Sequence, residues 1–395
     1  MGTPRYLSIF SGCGGLDLGF YEAGFSAVAA IDIDSRALGV LSDNIPGDTL
    51  TADLATLDPL TFSSKAIDVI VSGPPCQGFS TLGKRDLRDP RNDLLQIPAK
   101  FAEVLRPRVV LVENVPAVKY GKHKAHWGML QAALRGIGYS VKEYTLDASN
   151  HSVAQGRKRV VLIAILGSFG PNLTFKSTPE VRLGDVLQLK GLSGDPFPAT
   201  TFEIGSRGWM IAERIAQGQK LTNVRNGPSA VHTWDIPQVF GPVTQKERDV
   251  LTKLIYLRRR SRRRKTGDGD PIPKKDLQAE FGNALLSALE RKQYLRSVGG
   301  FYDLTHTFNG KYRRLRAEGL APTVNSHFGD PRYYLHPIEH RGFSLRETMR
   351  IQGFPDSFDV PNAVSRKRAF AMIANAVPPP MARAIARELS YVLGG

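Results

Sequence analysis

Apolar runs and amphipathic segments alternate along the first 170 residues of the chain. Buried strands are predicted where β-branched and aliphatic residues cluster, at Tyr6–Phe10, Ala27–Ile31, Ala66–Val71, Val109–Val112 and, as a hairpin, Tyr139–Leu146 with Val160–Leu166. Helical patterns lie between the strands at Leu16–Ala23 and Leu94–Leu105. Strands that alternate with helices in this way predict an α/β domain with an open sheet.

The pattern changes near Gly170. From there to Pro242 the chain is rich in Gly, Pro and Thr and only weakly periodic, so we predict irregular structure. A helix is predicted at Thr244–Arg260, because Thr244 and Glu247 have the spacing of a capping box. Trp209, Trp234 and His232 have no chemical partner in the sequence and are predicted to be packing residues.

Short helices and a hairpin are predicted next, at Lys274–Phe281, Ala284–Tyr294, Leu295–Gly300 and Phe301–Arg314. Together with the preceding helix they predict a unit like a winged helix-turn-helix, which is a DNA-binding arrangement. We expect Asn283–Tyr294 to enter the major groove and Phe301–Tyr312 to act as the wing. Seven of the eight residues from Arg258 to Lys265 are cationic with no acid among them, which favours a phosphate partner over a solvated face.

Polar and glycine-rich positions follow several predicted strands of the first 170 residues. A loop of glycines, Gly12 to Gly15, follows the first strand, and Asp32 and Asp53 follow the second and third. Ligands of open α/β sheets bind at the carboxyl ends of the strands, where an acid typically accepts a ribose hydroxyl. Asp17 stands where a dinucleotide fingerprint requires its third glycine, which argues against a nicotinamide cofactor. The pattern predicts a different nucleoside-bearing cofactor.

Cys76 follows the fourth strand on a stiff Pro74-Pro75 segment. A lone cysteine is usually a small buried hydrophobe, but proline fixes the backbone and removes an amide donor, so this segment positions a residue rather than packing it. The sequence Gly-Pro-Pro-Cys-Gln-Gly-Phe-Ser at 73–80 resembles the nucleophile motif of the DNA cytosine carbon-5 methyltransferases. The resemblance covers residues 5–166 and about 313–392 and leaves out the middle of the chain.

Further motifs carry the same resemblance. Glu113-Asn114-Val115 matches the family's Glu-Asn-Val, and Gln155-Gly156-Arg157-Lys158-Arg159 matches its Gln-x-Arg-x-Arg. Segments at 313–324, 343–356 and 373–377 are similar to its later motifs. The sequence departs from the family pattern at four places, with Ser152 and Ala154 for a glycine and a proline, Ala374 for a glycine, and Ser344-Leu345 in less usual places.

The resemblance implies a Rossmann-like, S-adenosylmethionine-dependent methyltransferase domain and a smaller, irregular target-recognition domain. The expected boundaries are 1–170 for the catalytic domain, 171–342 for target recognition, and 343–395 for a hinge and a C-terminal return to the catalytic domain. The implied cofactor is S-adenosylmethionine. The residues expected to bind it are Phe10, Gly12, Cys13, Gly14, Gly15, Asp32, Ile33, Asp53, Pro75, Asn375 and Val377.

The resemblance also implies catalytic roles. Cys76 is expected to attack carbon 6 of a cytosine that has swung out of the DNA duplex, which makes carbon 5 nucleophilic. Glu113 is expected to hydrogen-bond the ring nitrogen and the exocyclic amine, Arg159 to hold the carbonyl oxygen, and Arg157 to steady the site. The residues expected to contact DNA are Gln77, Ser80, Arg85, Arg88, Arg259, Arg263, Arg291 and Lys292.

Composition agrees with a nucleic-acid partner. The 395 residues include 53 Lys and Arg against 37 Asp and Glu, a net charge of +16 that favours a polyanion, here double-stranded DNA. Neither an apolar run long enough to span a membrane nor a secretory signal is recognised, and the two cysteines predict neither a disulfide framework nor a metal site. We expect a monomeric, cytoplasmic, prokaryotic enzyme associated with the nucleoid through DNA.

Other functions remain open at this point. An RNA cytosine methyltransferase would use the same chemistry, although Gln77 and the long middle region favour DNA. A catalytically silent DNA-binding protein could keep the same fold, although Cys76, Glu113 and Arg159 are intact. By analogy with the family, a cognate restriction endonuclease acting separately would complete a restriction-modification system.

Overall fold

The computed structural model describes residues 2–75, 94–121, 124–168, 170, 172–187, 195–264 and 267–394. The chain divides into two compact units. The first unit comprises Met1–Phe197, Leu320–Ser326 and Leu345–Gly395, and the second unit comprises Pro198–Gly319 and His327–Ser344. No helix within the described ranges combines the length and the hydrophobicity that a bilayer crossing requires.

Numbered along the chain, the strands are β1 (Arg5–Ile9), β2 (Ser26–Asp32), β3 (Thr49–Thr51), β4 (Val69–Ser72), β5 (Val109–Asn114), β6 (Tyr139–Asp147), β7 (Lys158–Leu166), β8 (Lys220–Thr222), β9 (Ala230–Val231), β10 (Ile272–Pro273), β11 (Leu295–Val298), β12 (Phe301–Leu304), β13 (Asn309–Lys311), β14 (Arg313–Arg314) and β15 (Tyr334–Leu335).

The α-helices are α1 (Gly15–Glu22), α2 (Ser35–Asn44), α3 (Ile97–Leu105), α4 (Lys124–Gly136), α5 (Leu183–Leu187), α6 (Arg207–Arg214), α7 (Pro237–Phe240), α8 (Gln245–Arg260), α9 (Lys274–Phe281), α10 (Asn283–Arg291), α11 (Leu345–Gln352), α12 (Arg366–Asn375) and α13 (Pro379–Val392). Helix α4 was not predicted, although Trp127, Leu130 and Leu134 form a buried stripe at helical spacing.

The first unit is built on a seven-stranded sheet in the order β3-β2-β1-β4-β5-β7-β6. Strands β1 to β5 are parallel, whereas β7 runs antiparallel to both of its neighbours. Side chains on successive residues of a strand point to opposite faces, so Leu7 and Ile9 enter one hydrophobic layer and Tyr6 enters the other. The predicted α/β class is confirmed, and five of the seven strands of its sheet are parallel.

The C-terminal helix α13 completes one of these layers by packing against α1. Buried side chains of α13, among them Met381, Ile385 and Leu389, join the layer that contains Phe20 of α1. Gly19 of α1 lies so near α13 that a β-carbon there would come within 2.4 Å of Cβ of Ala382. The two helices can approach this closely only because position 19 has no side chain.

The second unit contains one module made of α8, α9, α10 and a three-stranded antiparallel sheet in the order β10-β12-β11. The capping box predicted for Thr244 and Glu247 is present at the start of α8. Leu251, Leu277 and Leu289, one from each helix, share a buried cluster. This arrangement has the three helices and the hairpin that were predicted for a winged helix-turn-helix-like unit.

The predicted extent of the wing was wrong. The hairpin partner β12 ends at Leu304, and residues 309–311 form β13 in another sheet. There Asn309 pairs with Thr222 and Lys311 with Leu221 of β8. Such long-range pairing leaves no trace in the local hydrophobic pattern, which is why the second strand of the hairpin was predicted to run from Phe301 to Arg314.

The stretch from Gly170 to Pro242 is more ordered than predicted, because it contains α5, α6, α7, β8 and β9. These elements are two to eight residues long, which is too short for a clear periodicity. Trp234 is 2% exposed and stacks on His232 with ring centroids 4.5 Å apart. Both residues pack in the second unit, as predicted.

We expect Gly19→Ala to destabilise the first unit by about 1–3 kcal/mol, because the added methyl group meets α13. Gly128→Ala is the matched control: Gly128 lies within α4, and a β-carbon there has no atom within 4 Å, so the same substitution should stabilise by up to about 1 kcal/mol. Urea unfolding of both variants measures the difference. Equal effects of the two substitutions would show that α1 and α13 are not in tight contact.

Candidate active site

The candidate site lies at the carboxyl edge of the large sheet, where its strand order reverses. Strand β1 pairs with β2 on one side and with β4 on the other. The loops that follow β1 and β4 therefore begin side by side and lead away in opposite directions. Ile9 pairs with Ser72, and Ser72 pairs with Val112 of β5. Because of this register, the loops after all three strands begin side by side, as at the ligand sites of open α/β sheets.

The loop after β1 is fixed by the carboxylate of Asp32. The amide of Gly12 donates to Oδ2 of Asp32 at 2.8 Å, and the amide of Asp34 donates to Oδ1 at 2.9 Å. A carboxylate oxygen can accept more than one hydrogen bond, so Asp32 keeps the capacity to accept from a ligand. Ile33 beside it is 69% exposed, and Phe10 has a φ of 56°. An exposed apolar side chain and a strained backbone at one sheet edge are typical of a ligand site.

The glycine loop is held against the C-terminal segment. A β-carbon on Gly15 would lie 2.4 Å from the carbonyl oxygen of Val377, so only glycine permits this approach. The side chains of Val377 and Cys13 are buried, whereas Asn375 and Asp53 are exposed. Cys13 can therefore offer only its backbone to a ligand.

The thiol of Cys13 is unsuited to nucleophilic chemistry. Burial raises its pKa to about 12, and nearby Asp17, Asp32 and Asp34 oppose ionisation further. Among the described residues, no group of three or more His, Cys, Asp or Glu side chains is placed to hold a metal ion.

Glu113 forms a buried ion pair with Arg159. The guanidinium Nε lies 2.7 Å from Oε1 of Glu113, and both side chains are 11% exposed. Glu113 pairs in register with Val161 of β7, so the side chain of Arg159 two residues away emerges on the same face. Burial raises the pKa of the Glu113 carboxyl, and the charges of Arg159 and Arg157 oppose that rise.

Gly73 lies between Glu113 and the loop that follows β1. A β-carbon on Gly73 would lie 3.8 Å from the carbonyl oxygen of Phe10 and 3.9 Å from Oε2 of Glu113. The side-chain amide of Asn114 donates to the carbonyl oxygen of Pro74 at 3.3 Å. Asn114 therefore positions the Gly73–Pro75 segment, a role that the sequence motif did not reveal. Cys76 itself lies outside the described residues, as do Gln77, Ser80, Arg85 and Arg88.

Arg157 has a different environment from Arg159. Its guanidinium is buried and donates to the carbonyl oxygens of Ala374 at 2.8 Å, Ala376 at 3.0 Å and Val324 at 3.4 Å. The side chain of Gln155 accepts from the amide of Val324 at 3.0 Å. Thus Gln155 and Arg157 fasten distant backbone segments together, and Arg159 alone contacts Glu113 by an ion pair within the described residues.

A family model for C-5 cytosine-specific DNA methylase matches residues 5–391, which include this edge and the whole middle of the chain. The chain belongs to the C-5 cytosine-specific DNA methylase family. The methylase is therefore a DNA (cytosine-5-)-methyltransferase, as predicted. The RNA methyltransferase and the catalytically silent protein are not favoured.

Curated relatives match the methylase over almost its whole length. It is 28% identical to the Type II methyltransferase M.HgiBI of Herpetosiphon aurantiacus, over 98% of this chain and 97% of the relative. It is 29% identical to the Type II methyltransferase M.AgeI of Thalassovita gelatinovora, over 98% and 100%.

Solved structures agree in fold. The methylase is similar to a DNA modification methyltransferase encoded within an E. coli prophage, with a TM-score of 0.62, 22% identity and 100% coverage of both chains. It is also similar to the methyltransferase EhMeth of Entamoeba histolytica, with a TM-score of 0.58, 14% identity, and 100% of this chain and 99% of that one covered. The predicted Rossmann-like methyltransferase fold is confirmed, and with the family it implies methylation that depends on S-adenosylmethionine.

The cations expected to contact DNA in the second unit divide into two groups. Arg259, Arg263 and Arg291 are exposed. Lys292 is also exposed, but it binds the capping-box carboxylate of Glu247 at 2.8 Å, which lowers the pKa of that carboxyl. The structure therefore gives Lys292 an intramolecular partner.

Intramolecular pairs also account for part of the cationic run. Arg258 forms a buried ion pair with Asp303 at 2.7 Å, and Arg264 pairs with Asp270. Acids outside the run thus neutralise two of its members, one of them 45 residues away from its partner.

Asp17 is a fully buried acid near the cofactor side of the site. Burial raises its pKa to about 7, and the nearby hydroxyl of Ser8 and the backbone of Asp17 itself offset only part of that rise. The unfolded chain loses this proton near pH 4, so between about pH 4 and 7 the folded state binds one proton more. As the pH rises from about 4 to 7, the free energy of unfolding should therefore fall by roughly 1.4 kcal/mol for each pH unit.

Asp17→Asn should remove this fall, because the amide does not ionise. We expect the variant to be less sensitive to pH than the wild type between pH 5 and 7, as measured by urea unfolding. Asp43→Asn is the control, since Asp43 is exposed on α2. If the wild type and Asp17→Asn have parallel stability profiles, Asp17 does not carry a raised pKa.

Proposed function

We propose that the methylase transfers the methyl group of S-adenosylmethionine to carbon 5 of a cytosine in a specific double-stranded DNA sequence, with Cys76 as the nucleophile. The observation that carries this proposal is the buried pair of Glu113 and Arg159 beside the segment that leads to Cys76. A carboxyl with a raised pKa next to a fixed guanidinium can serve both the nitrogen face and the carbonyl of a cytosine.

The carboxyl edge of β1, β2 and β3 fits S-adenosylmethionine. We assign Asp32 to the ribose hydroxyls, Ile33 to one face of the adenine, and Asp53 to its amino group. The exposure of Ile33 and the spare acceptor capacity of Asp32 support these assignments. Phe10 and the glycine loop, in which Cys13 contributes its backbone, complete the cradle.

Three further residues that were expected to bind the cofactor are assigned different roles. Exposed Asn375 can contact it directly, whereas buried Val377 supports the glycine loop through its backbone. Pro75 shapes the segment between the cofactor and the target base. When bound, the cofactor supplies an electrophilic methyl group.

The protein groups act on the cytosine. The Cys76 sulfur adds to carbon 6, and Glu113 donates a hydrogen bond to ring nitrogen 3, so that electron density develops at carbon 5. Arg159 binds the carbonyl oxygen and fixes the ring. After methyl transfer, a base removes the carbon-5 proton, and the electrons of that bond expel the Cys76 thiolate. Arg157 acts as a positioning residue that holds the surrounding backbone.

DNA binding draws on the charge of the protein. The net charge of +16 and the exposed Arg259, Arg263 and Arg291 support contacts with phosphate groups. We keep the proposal that α10 enters the major groove and that Gln77, Ser80, Arg85 and Arg88 contact DNA near the target base. The Type II relatives support a role in a restriction-modification system. We further propose that the methylase is a monomer and that a cognate nuclease acts separately.

Trapping with 5-fluorocytosine tests the nucleophile. Fluorine at carbon 5 cannot leave as a proton does, so the wild type with S-adenosylmethionine should form a denaturation-resistant adduct with a fluorinated duplex. Cys76→Ala should form none and should methylate no cytosine, while it still binds the duplex. The recognised sequence is first located by sequencing methylated cytosines in DNA from cells that express the protein. Adduct formation by Cys76→Ala would remove Cys76 from its role.

Single-turnover kinetics distinguish the proposed roles of Glu113, Arg159 and Arg157. We expect Glu113→Gln to slow methyl transfer by about 100-fold or more, because Gln cannot supply the proton. Arg159→Gln should lower the same rate. Arg157→Gln should mainly lower the melting temperature, because buried carbonyl oxygens lose their donors. A Glu113→Gln rate within a few-fold of the wild type would contradict the proposed acid role.

A further inference from the structure

A cavity of about 370 Å³ lies within the second unit, in a part of the chain to which the catalytic motifs assign no role. Four aromatic rings line it, those of Phe240, Phe308, Tyr312 and Tyr333. All four are only partly buried, so part of each ring is accessible to a ligand. The volume is in the range of small-molecule sites.

Neighbouring rings hold these walls in place. Phe308 stacks on His306 with an interplanar angle of 3°, and Tyr333 stacks on His327 with centroids 4.6 Å apart. Tyr312 has a φ of 50°, a left-handed conformation that is costly for a tyrosine. Strain of this kind is often found at binding sites, where the surrounding structure enforces it. The aromatic surface is therefore formed in advance of any ligand.

Cationic groups share the cavity with the rings. The Nζ of Lys311 lies 3.3 Å from the ring centroid of Tyr333, and the guanidinium of Arg207 lies 4.9 Å from that of Phe240. Arg332 is paired with Asp330 at 2.7 Å, but within the described residues no carboxylate pairs with Lys311 or Arg207. The cavity thus combines flat apolar walls with excess positive charge.

A second cationic group lies next to the cavity along β13. Lys220 and Arg313 both approach Gly310, where a β-carbon would lie 3.3 Å from Cδ of Lys220 and 3.4 Å from Nη2 of Arg313. Burial lowers the pKa of Lys220, and the charges of Arg313 and Arg225 lower it further. Cations that repel one another in this way are stabilised by an anion, and a phosphate group suits several of them at once.

We propose that this cavity binds one nucleotide of the DNA substrate, with its base against the aromatic walls and an adjacent phosphate on Lys220, Arg225 and Arg313. The base is a second unstacked base, distinct from the target cytosine. Aromatic stacking and cationic contacts with the backbone are the two ways in which proteins hold unpaired nucleotides. The inference rests on the proposed function, and it adds a specificity site that the catalytic chemistry does not require.

The test pairs Tyr333→Ala with Tyr333→Phe, which keeps the ring. A set of duplexes carries the recognised sequence, as located by methylation sequencing, and each has one abasic position. At the position whose base occupies the cavity, we expect the abasic substitution to weaken wild-type binding about tenfold. Tyr333→Ala should weaken binding to the intact duplex similarly and have no further effect on that one abasic duplex. Tyr333→Phe should resemble the wild type throughout.

Charge is tested separately. Lys311→Gln removes a cation from the cavity wall and should weaken binding of the intact duplex. Lys65→Gln should not, because it removes an exposed cation before β4, at the edge of the large sheet opposite to the candidate active site. Melting temperatures identify any variant that loses affinity through misfolding. Lys311→Gln then tests the cavity without removing a ring.

Three outcomes overturn the proposal in distinguishable ways. If Tyr333→Ala binds the intact duplex as tightly as the wild type does, the cavity holds no base. The same conclusion follows if Tyr333→Ala weakens binding by the same factor on every abasic duplex as on the intact one. If 1 mM deoxynucleoside monophosphates raise the melting temperature of the wild type and no abasic position couples to Tyr333, the site takes free nucleotides instead. If no cytosine is methylated in any DNA, the proposed function fails, and this inference fails with it.

Discussion

The buried ion pair between Glu113 and Arg159 is the interaction on which the arrangement of the site depends. A buried carboxylate without a partner would be strongly unfavourable, and the guanidinium 2.7 Å away compensates for that cost. The strand order supplies the geometry, because β7 runs antiparallel beside β5 and brings the side chain of residue 159 to the face of residue 113. Since both partners lie on sheet strands, the pair is rigid before any substrate arrives.

A second set of hydrogen bonds keeps this edge assembled. Arg157 and Gln155 bind backbone groups of three segments that are far apart in the chain, at Val324, at Ile351, and at Ala374 and Ala376. Helix α13 then packs on α1 where Gly19 has no side chain. The C-terminal segment therefore serves as part of the first unit's core and supports the glycine loop. The two arginines of one sequence motif therefore differ in role. Arg159 contacts Glu113 in the candidate site, whereas Arg157 holds the surrounding backbone.

In the second unit, the positive charge available at the surface differs from the charge that the sequence suggests. In the run that begins at Arg258, one arginine is buried against Asp303 and another pairs with Asp270, so the available positive charge is smaller than the run implies. Elsewhere, the cations at Lys220, Arg225 and Arg313 are scattered in the sequence and meet only in the folded unit. The aromatic cavity beside them has a similar origin, because its rings come from three separate segments.

The sequence by itself determined the α/β class, the strands that carry the site, the nucleophile motif and the family. These follow from local patterns: β-branched runs, a glycine loop, and residues placed directly after strands. It also marked Ser152 as a departure from an expected glycine, and the structure places Ser152 at a φ of 58°, the conformation that explains why glycine is usual there.

Tertiary structure alone decided which arginine contacts Glu113, how far the hairpin after β11 extends, and which cations are neutralised. Each of these depends on partners distant in the chain, such as Asp303 for Arg258 or β8 for β13. Local sequence patterns report the period of a strand or a helix, but they do not report which distant group will compensate a buried charge. That choice is made only when the elements pack together.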